Sequence, residues 1–126
     1  MRGEANPFRT AFEGHIEEKY GVLPDYPFAR YPTCAVFRHK GNRKWFAAVM
    51  SVTGDKLGLA TETHVDIVNL KCPAEVRDTL WQTHGIFPAY HMAKGHWISV
   101  LLDGSVDGET LSFLLAVSHS VTKKKK

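Results

Sequence analysis

The chain lacks the features that would define a membrane protein, a secreted protein or a familiar enzyme. No apolar run approaches the roughly 20 residues that a membrane-spanning helix needs, and residues 1–7 contain no apolar segment of the signal-peptide kind. We therefore expect no membrane association and a cytoplasmic location. The Gly-x-Ser-x-Gly, glycine-rich phosphate-loop and His-Glu-x-x-His motifs are absent as well, so we expect a non-enzymatic protein.

Cysteine is scarce, because only Cys34 and Cys72 are present. One disulfide is conceivable, but two buried free thiols are the expectation for a chain of this size. Nothing in the spacing pairs either thiol with a histidine as a nucleophile. His91 and His96 lie on one predicted hairpin, but a metal site needs a third ligand. We expect no metal and no cofactor.

A general excess of positive charge is also missing. The formal net charge is +3 over 126 residues, with 16 basic and 13 acidic side chains. The last four residues, Lys123–Lys126, are all lysine, so 16 minus 4 leaves 12 basic residues and a charge of −1 for the remaining chain. This balance excludes a uniformly basic nucleic-acid coat. Any basic site must be a local patch.

Two segments contain basic residues and no acid. Residues 31–54 carry a charge of +4, and residues 84–97 contain one lysine and three histidines. The candidate contacts are Arg38, Lys40, Arg43, Lys44, Trp45, Lys94 and His96. A basic hairpin tip beside a tryptophan can contact phosphates and offer a stacking surface. The alternative is an edge hairpin whose charges prevent strand association, and the residues alone leave both open.

The first predicted helix begins at Asn6 as the cap and Pro7 as the first helical residue, and it ends at Gly21. Apolar residues at helical spacing predict the buried face of this helix: Phe8, Ala11, Phe12, Ile16 and Tyr20. Three glutamates are predicted to lie on its outer side: Glu13, Glu17 and Glu18. Residues 21–33, rich in proline and aromatics, are predicted to form an ordered loop.

Residues 34–52 predict a hairpin with a two-residue type II′ turn at Gly41-Asn42. That register places Phe37 opposite Phe46 and Arg38 opposite Trp45. One face would join the core, and the other would be a solvent-facing surface of basic and aromatic residues.

The remaining elements are a strand, a helix, a second hairpin and a last helix. The strand covers 65–71, and the helix runs from Pro73 towards Gly85 with Val76, Leu80 and Trp81 inside. The hairpin pairs 86–92 with 96–102 about Lys94-Gly95, and Asp107 or Ser105 caps a helix bearing Leu111, Leu114, Leu115 and Val121. The order α-β-β-β-α-β-β-α predicts an α+β domain over 1–122 with an antiparallel sheet, followed by a disordered lysine tail, 123–126.

Several segments resemble the YjbR/MmcQ family of small bacterial proteins. They are 65–72 (VDIVNLKC) and 85–100 (GIFPAYHMAKGHWISV), together with 25–28 (DYPF) and 45–47 (WFA). The resemblance extends over about residues 8–121. It implies a CyaY-like fold similar to frataxin, with a curved antiparallel sheet of five strands and helices on one face.

The resemblance also implies DNA binding, with the two hairpins acting as wings. Carried onto this chain, the wing residues are Arg38, Lys40, Arg43 and Lys44 in the first hairpin, and Lys94 and His96 in the second. Gly95 stands where the family often has another basic residue. Iron binding, as in frataxin, is not indicated, because the first helix offers only three glutamates.

The leading hypothesis is a DNA-binding protein that contacts the phosphates of double-stranded DNA largely without regard to sequence. A second hypothesis is a protein-interaction or regulatory module that uses the hairpin face and the loop at Tyr26–Phe28. A third is a small-molecule-binding protein with a pocket near Tyr90, His91 and His96.

Overall fold

The computed structural model describes residues 6–80, 83–89 and 96–123. The helices are α1 (Pro7–Tyr20), α2 (Ala74–Arg77) and α3 (Gly108–Lys123), with a 3₁₀ helix at Gly54–Leu57. The strands are β1 (Ala35–Arg38), β2 (Trp45–Thr53), β3 (His64–Lys71), β4 (Ile86–Pro88) and β5 (Trp97–Leu101). They form one antiparallel sheet in the order β1-β2-β3-β5-β4. The predicted α+β class and element order are confirmed.

Both long helices pack on the same face of the sheet. Phe12 and Ile16 of α1, together with Leu114 and Leu115 of α3, share one buried cluster with inward-facing residues of all five strands. Val76 and Leu80 pack against this cluster as predicted, although α2 itself ends at Arg77 rather than continuing towards Gly85. Trp81 lies outside the described residues.

The ends of α1 follow the sequence, but its buried face does not. Asn6 caps the helix by accepting from the backbone N–H groups of Phe8 and Arg9, and Gly21 ends it at φ +66°. Phe8 is half exposed and Ala11 is exposed, so their predicted burial is wrong. The helix instead turns Arg9 inward.

Arg9 is the centre of a polar network that attaches α1 to the sheet. Its guanidinium bonds to Glu13 at 2.8 Å and to Asp66 of β3 at 3.0 Å, and it also donates to the carbonyl of Thr33. Glu13 was predicted on the outer side, but its side chain is only 20% exposed because it holds Arg9. The polar contacts of Arg9 therefore help to attach α1 to the sheet, a role that the sequence assigned to the apolar face of the helix alone.

The first hairpin differs from the predicted one at its turn. Arg38 does pair with Trp45, but Phe37 pairs with Ala47 rather than Phe46, because the register shifts by one residue between Phe37 and Arg38. The turn is not a two-residue type II′ turn at Gly41-Asn42. Six residues, 39–44, connect the strands.

The outer face of the sheet is largely covered, which corrects the expected solvent-facing surface. Val36 and Ala48 are fully buried on this side with Cys34. The loop after α1 runs beside β1 at the edge of the sheet, because Asp25 exchanges two backbone hydrogen bonds of 2.8 Å with Val36. This bridge extends pairing beyond β1.

The two cysteines lie in different clusters, Cys34 on the outer face and Cys72 in the main core, and both are free and buried as predicted. β4 pairs with β5 as the second hairpin requires, but its predicted turn at Lys94-Gly95 lies outside the described residues. Asp107 caps α3 by accepting from the N–H of Thr110. α3 includes Lys123, so the first lysine predicted for the tail is helical.

A candidate cationic interface at one end of the sheet

The turn between β1 and β2 has a definite shape. The N–H of His39 donates to the carbonyl of Lys44 at 2.9 Å, and the N–H of Arg43 donates to the carbonyl of His39 at 3.1 Å. The Asn42 side chain accepts from the N–H of Lys44 at 2.8 Å. Arg43 adopts a left-handed conformation with φ +64°. Three cationic side chains, those of Lys40, Arg43 and Lys44, thus project from a closed turn.

The carboxyl end of α3 holds this turn in place. The Asn42 amide donates to the carbonyls of Thr122 at 3.0 Å and Lys123 at 3.4 Å. The Thr122 hydroxyl donates to the carbonyl of Ser118 at 2.7 Å, and its oxygen lies 2.7 Å from Nε2 of His39. The basic turn and the start of the lysine tail are therefore neighbours in the structure.

The same turn of α3 is also attached to the sheet. Ser118 is fully buried, and its hydroxyl donates to the carbonyl of Phe46 at 2.6 Å while accepting from the N–H of Lys71 at 2.9 Å. One side chain thus links α3 to both β2 and β3. This fixes the position of the helix end relative to the turn.

A ring cluster lies beneath the turn. The ring of His119 stacks on Tyr20 at 4.1 Å between centroids, and it also meets His39 at 4.4 Å and Phe46 at 4.8 Å. His39, predicted as a titratable part of the basic segment, is buried and 6% exposed. It therefore supports the turn from below rather than adding to its surface.

Both histidines in the cluster are held neutral. Burial lowers the pKa of His119 to about 4, and the neighbouring His39 and Lys123 act in the same direction. Burial also lowers the pKa of His39; a hydrogen bond with the backbone of His119 opposes this, and Lys123 reinforces it. Near neutral pH these rings pack as uncharged aromatics. A protonated imidazole at this position would lose its hydration and be surrounded by other rings, which disfavours the charged form.

Arg38 and Trp45 support one another at the base of the turn. The Arg38 guanidinium forms an ion pair with Asp25 at 3.0 Å and lies 5.8 Å from the Trp45 ring centroid. Phe28 meets the Trp45 ring edge-on at 5.8 Å. Trp45 is half-buried as a result, so its ring is less available for stacking than the sequence suggested.

Lys40, Arg43 and Lys44 are exposed, and so is Lys123. Among the residues that the structure describes, no carboxylate forms an ion pair with any of these four. Asp25 is already engaged with Arg38. The exposed cations are thus available to an anionic partner.

Strand register places further basic residues at the same end of the sheet. Ala48 pairs with Asn69, Asn69 with Ser99 and Lys71 with Trp97, so the start of β2, the end of β3 and the start of β5 lie side by side. With strands about 4.8 Å apart, β1 and β5 are separated by about 14 Å. We call this surface the cationic end; its residues are Arg38, Lys40, Arg43, Lys44, Lys71 and Lys123.

Of the two residues predicted for the second wing, His96 is among the described residues. His96 is exposed just before β5, at the same end of the sheet, and its carbonyl accepts from the N–H of Cys72 at 2.8 Å. Lys94 lies outside the described residues. Tyr90 and His91, which were expected to line a small-molecule pocket, lie outside them too.

Sequence reasoning missed three contributors to this surface: Lys71, Asn42 and Lys123. Lys71 lies within the Asn-Leu-Lys-Cys segment of a predicted strand, and this segment alone does not indicate that Lys71 lies near the basic turn. The sequence predicts Asn42 as a turn residue, and in the structure its side chain also donates to α3. Lys123 was assigned to the tail, and no local signal in the sequence brings residue 123 to residue 42.

The cysteines do not offer a reactive site. Burial raises the pKa of the Cys34 and Cys72 thiols, which keeps them protonated and weakly nucleophilic at neutral pH. In the part of the chain that the structure covers, no group of three or more His, Cys, Asp or Glu side chains is arranged to hold a metal ion. None of the described helices has the length and apolar character needed to cross a membrane.

The fold and this surface define a small α+β protein with basic residues collected at one end of a five-stranded antiparallel sheet. The YjbR family model matches residues 17–121. The chain belongs to the YjbR family. It is 44% identical over 109 residues to the Bacillus subtilis uncharacterized protein YyaQ, a match that covers 86% of this chain and 92% of that protein.

Solved structures show the same fold in relatives. A crystal structure of a Pseudomonas syringae protein has a TM-score of 0.88 at 38% identity and covers 91% of this chain and 98% of its own. A solution NMR structure of a Pseudomonas syringae protein gives 0.83 at 38% identity, with 93% and 94% covered. The Deinococcus radiodurans protein DR2400 gives 0.63 at 29% identity, with 82% and 70% covered.

Proposed function

We propose that this protein is a non-enzymatic, cytoplasmic DNA-binding protein whose cationic end contacts the phosphate backbone. The carrying observation is the hydrogen bonding of Asn42 to Thr122 and Lys123, which joins the basic turn to Lys123, the first residue of the lysine run. Double-stranded DNA presents one negative charge per roughly 1.7 Å of its axis. A fixed cluster of exposed cations, of which Lys40, Arg43, Lys44 and Lys123 have no ion pair within the described residues, is suited to that charge density.

Phosphate contact of this kind is largely independent of base sequence, because phosphates carry no direct sequence information. The exposed side chains of Lys40, Arg43 and Lys44 suit backbone contact. His96 adds a polar group about two or three strand spacings away, each about 4.8 Å. Lys94 remains a predicted contact of the second wing, and the CyaY-like, frataxin-related assignment of the fold remains a prediction of the resemblance.

Titration of a labelled DNA duplex at several salt concentrations tests this proposal. We expect the logarithm of the association constant to fall linearly with the logarithm of salt concentration, with a slope of about −0.9 for each phosphate neutralised. The triple variant K40Q/R43Q/K44Q should bind more weakly and with a shallower slope. Absence of binding near 50 mM salt, which favours electrostatic association, would overturn the proposal.

A matched control uses a lysine at the opposite end of the sheet. Lys56 is exposed in the 3₁₀ helix that joins β2 to β3, whereas Lys44 immediately precedes β2 at the other end. K44Q and K56Q remove the same charge. We expect K44Q to weaken DNA binding more than K56Q, and equal effects would show that net charge rather than this surface determines affinity.

A second candidate function is a protein-interaction module, favoured by the exposed apolar side chains of the loop after α1. Leu23 is 77% exposed, Tyr26 51% and Tyr31 58%. Against it, Trp45 and Trp97 are half-buried, so the tryptophans do not extend this loop into a fully exposed apolar patch. Binding of a protein partner that persists in the K40Q/R43Q/K44Q variant would favour this function over DNA binding.

A further inference from the structure

A cavity of about 320 Å³ opens beside the basic turn, between that turn and the loop that follows α1. Its volume lies at the lower end of the roughly 300–1,000 Å³ typical of small-molecule sites. Val22, Leu23 and Val36 supply apolar wall, while Lys40 and Arg43 supply positive charge. The cavity therefore combines two kinds of surface that a flat phosphate-binding face would not need.

The charge of the cavity is not compensated from within. Asp25 lines it, but its carboxylate is engaged by Arg38 at 3.0 Å. The Lys40 ammonium lies over Gly21, since a Cβ atom at that glycine would be 3.7 Å from Nζ. One positive group is thus held at the cavity, while Arg43 contributes another.

Arg38 supplies a second, independent indication of a ligand. Its Nε atom is buried and has no hydrogen-bond partner within the described structure. Buried donors are normally satisfied, and Arg38 lines the cavity, so an acceptor close to this side chain would complete its hydrogen bonding. A ligand that carries acceptor oxygens and also has an apolar or aromatic part would satisfy both kinds of wall.

We infer that this cavity receives one nucleotide unit of a single strand, with its phosphate at Lys40 and Arg43 and its base against Val22 and Leu23. The inference rests on the proposed DNA binding and specifies the form of nucleic acid. In a duplex the bases are stacked and paired, and inserting one would require the free energy of unstacking and unpairing it. In a single strand each base has a free face that can pack on a protein surface.

The first test compares a labelled single-stranded oligonucleotide with the duplex of the same sequence, at one salt concentration. We expect the single strand to bind at least about fivefold more tightly, since its base can cover apolar surface of Val22 and Leu23 without first being unpaired. The variant Leu23→Ser should reduce the affinity for the single strand by about fivefold, the size expected for removing part of one apolar surface. It should leave duplex affinity unchanged, because no charge is altered.

Leu23 is 77% exposed, so its replacement should not disturb folding. Phe113→Ser provides the control, because Phe113 is an exposed apolar residue on α3 that does not line the cavity. We expect this variant to bind both forms of DNA as the unaltered protein does. An equal loss of single-strand binding in the two variants would overturn the inference.

A second test places the ligand. Addition of a deoxynucleoside 5′-monophosphate should shift the backbone amide resonances of Leu23 and Lys40 in a ¹H–¹⁵N spectrum, and inorganic phosphate at the same concentration should shift Leu23 much less. Identical shifts with both probes would show an anion site without a base contact and would overturn the inference.

The outcomes separate the two proposals. Equal affinity for single strand and duplex, with K40Q/R43Q/K44Q weakening both, would leave DNA binding standing and reject the nucleotide cavity. Absence of binding to either form would reject both.

Discussion

Arg43 occupies a conformation that glycine or asparagine adopts more readily. Its φ of +64° is in the left-handed region, although Gly41 and Asn42 stand immediately before it. A non-glycine residue in this region costs about 1–2 kcal/mol. The arrangement places a guanidinium on the exposed surface of the cationic end, and such strain is characteristic of functional positions.

Replacing Arg43 with glycine should therefore separate stability from binding. We expect Arg43→Gly to raise the free energy of unfolding by about 0.5–1 kcal/mol, because the strain is relieved, and to weaken DNA binding. Urea denaturation and DNA titration measure the two effects. Lys44→Gly removes the same charge where φ is ordinary, so it should weaken binding without the gain in stability; a gain in both variants would refute the role of strain.

The ring cluster of His39 and His119 predicts a dependence of stability on pH. The folded-state pKa of His119 is about 4, below its ordinary value of 6.5. Between these values the unfolded chain binds a proton that the folded chain does not, so stability is complete above about pH 6.5 and falls as pH decreases towards 4. His39 acts in the same direction.

We expect the free energy of unfolding to fall by an amount on the order of 1 kcal/mol between pH 7 and pH 5, after allowing for solvent screening of the partly exposed His119 ring. Urea denaturation at the two pH values measures this change. In His119→Phe, which retains a ring for stacking on Tyr20, the pH dependence should shrink. A variant that loses as much stability as the unaltered protein would show that other groups are responsible.

At the scale of elements, the contact between the turn and α3 determines the shape of the cationic end. Asn42 donates to two carbonyls at the end of α3 and accepts from Lys44. Carbonyls in the last turn of a helix have no partner within the helix. The turn thus satisfies the helix end while the helix end positions the turn.

Asn42→Ala should loosen this contact without changing any charge. We expect a loss of about 1–2 kcal/mol in the free energy of unfolding, since several hydrogen bonds disappear, together with weaker DNA binding as the cations lose their fixed positions. Thermal denaturation and DNA titration provide the measurements. Gly41→Ala is the matched control, because a Cβ there meets nothing within 4 Å, and it should change neither quantity appreciably.

The elements also show where sequence patterns were sufficient. Asn6, Pro7 and Gly21 predicted the bounds of α1 because caps act through neighbouring backbone groups. The buried face was less predictable, since Arg9 finds Asp66 on a strand 57 residues away. Likewise, the bulge between Phe37 and Arg38 shifts the register by one residue, and the six-residue turn carries its positive φ at Arg43 instead of Gly41.

At the scale of the whole molecule, the net charge of +3 does not show that positive charge is concentrated in the first hairpin and the lysine run. α3 includes Lys123, whose carbonyl accepts from Asn42 in the basic turn. Lys124–Lys126 follow directly in the sequence, and three residues reach at most about 11 Å. The tail and the turn are therefore available to the same polyanion.

Deleting Lys124–Lys126 lowers the formal net charge from +3 to 0. We expect DNA affinity to fall severalfold and the salt slope to become shallower by up to about 0.9 for each phosphate that is no longer neutralised. Binding should persist, because the turn retains its own three cations. Complete loss of binding on this deletion would show that the tail alone binds DNA and that the turn does not.

The sequence by itself determined what local interactions control: the α+β class, the element order, the caps of α1 and the acid-free charge around the first hairpin. Those features depend on periodicity and on neighbouring residues. Tertiary structure alone decided that His39 is buried, that the loop after α1 pairs with the edge strand β1, and that Asn42 meets the end of α3. Each of these depends on contacts between residues far apart in the chain, and a local pattern contains no information about which distant partner satisfies a polar group or covers an apolar one.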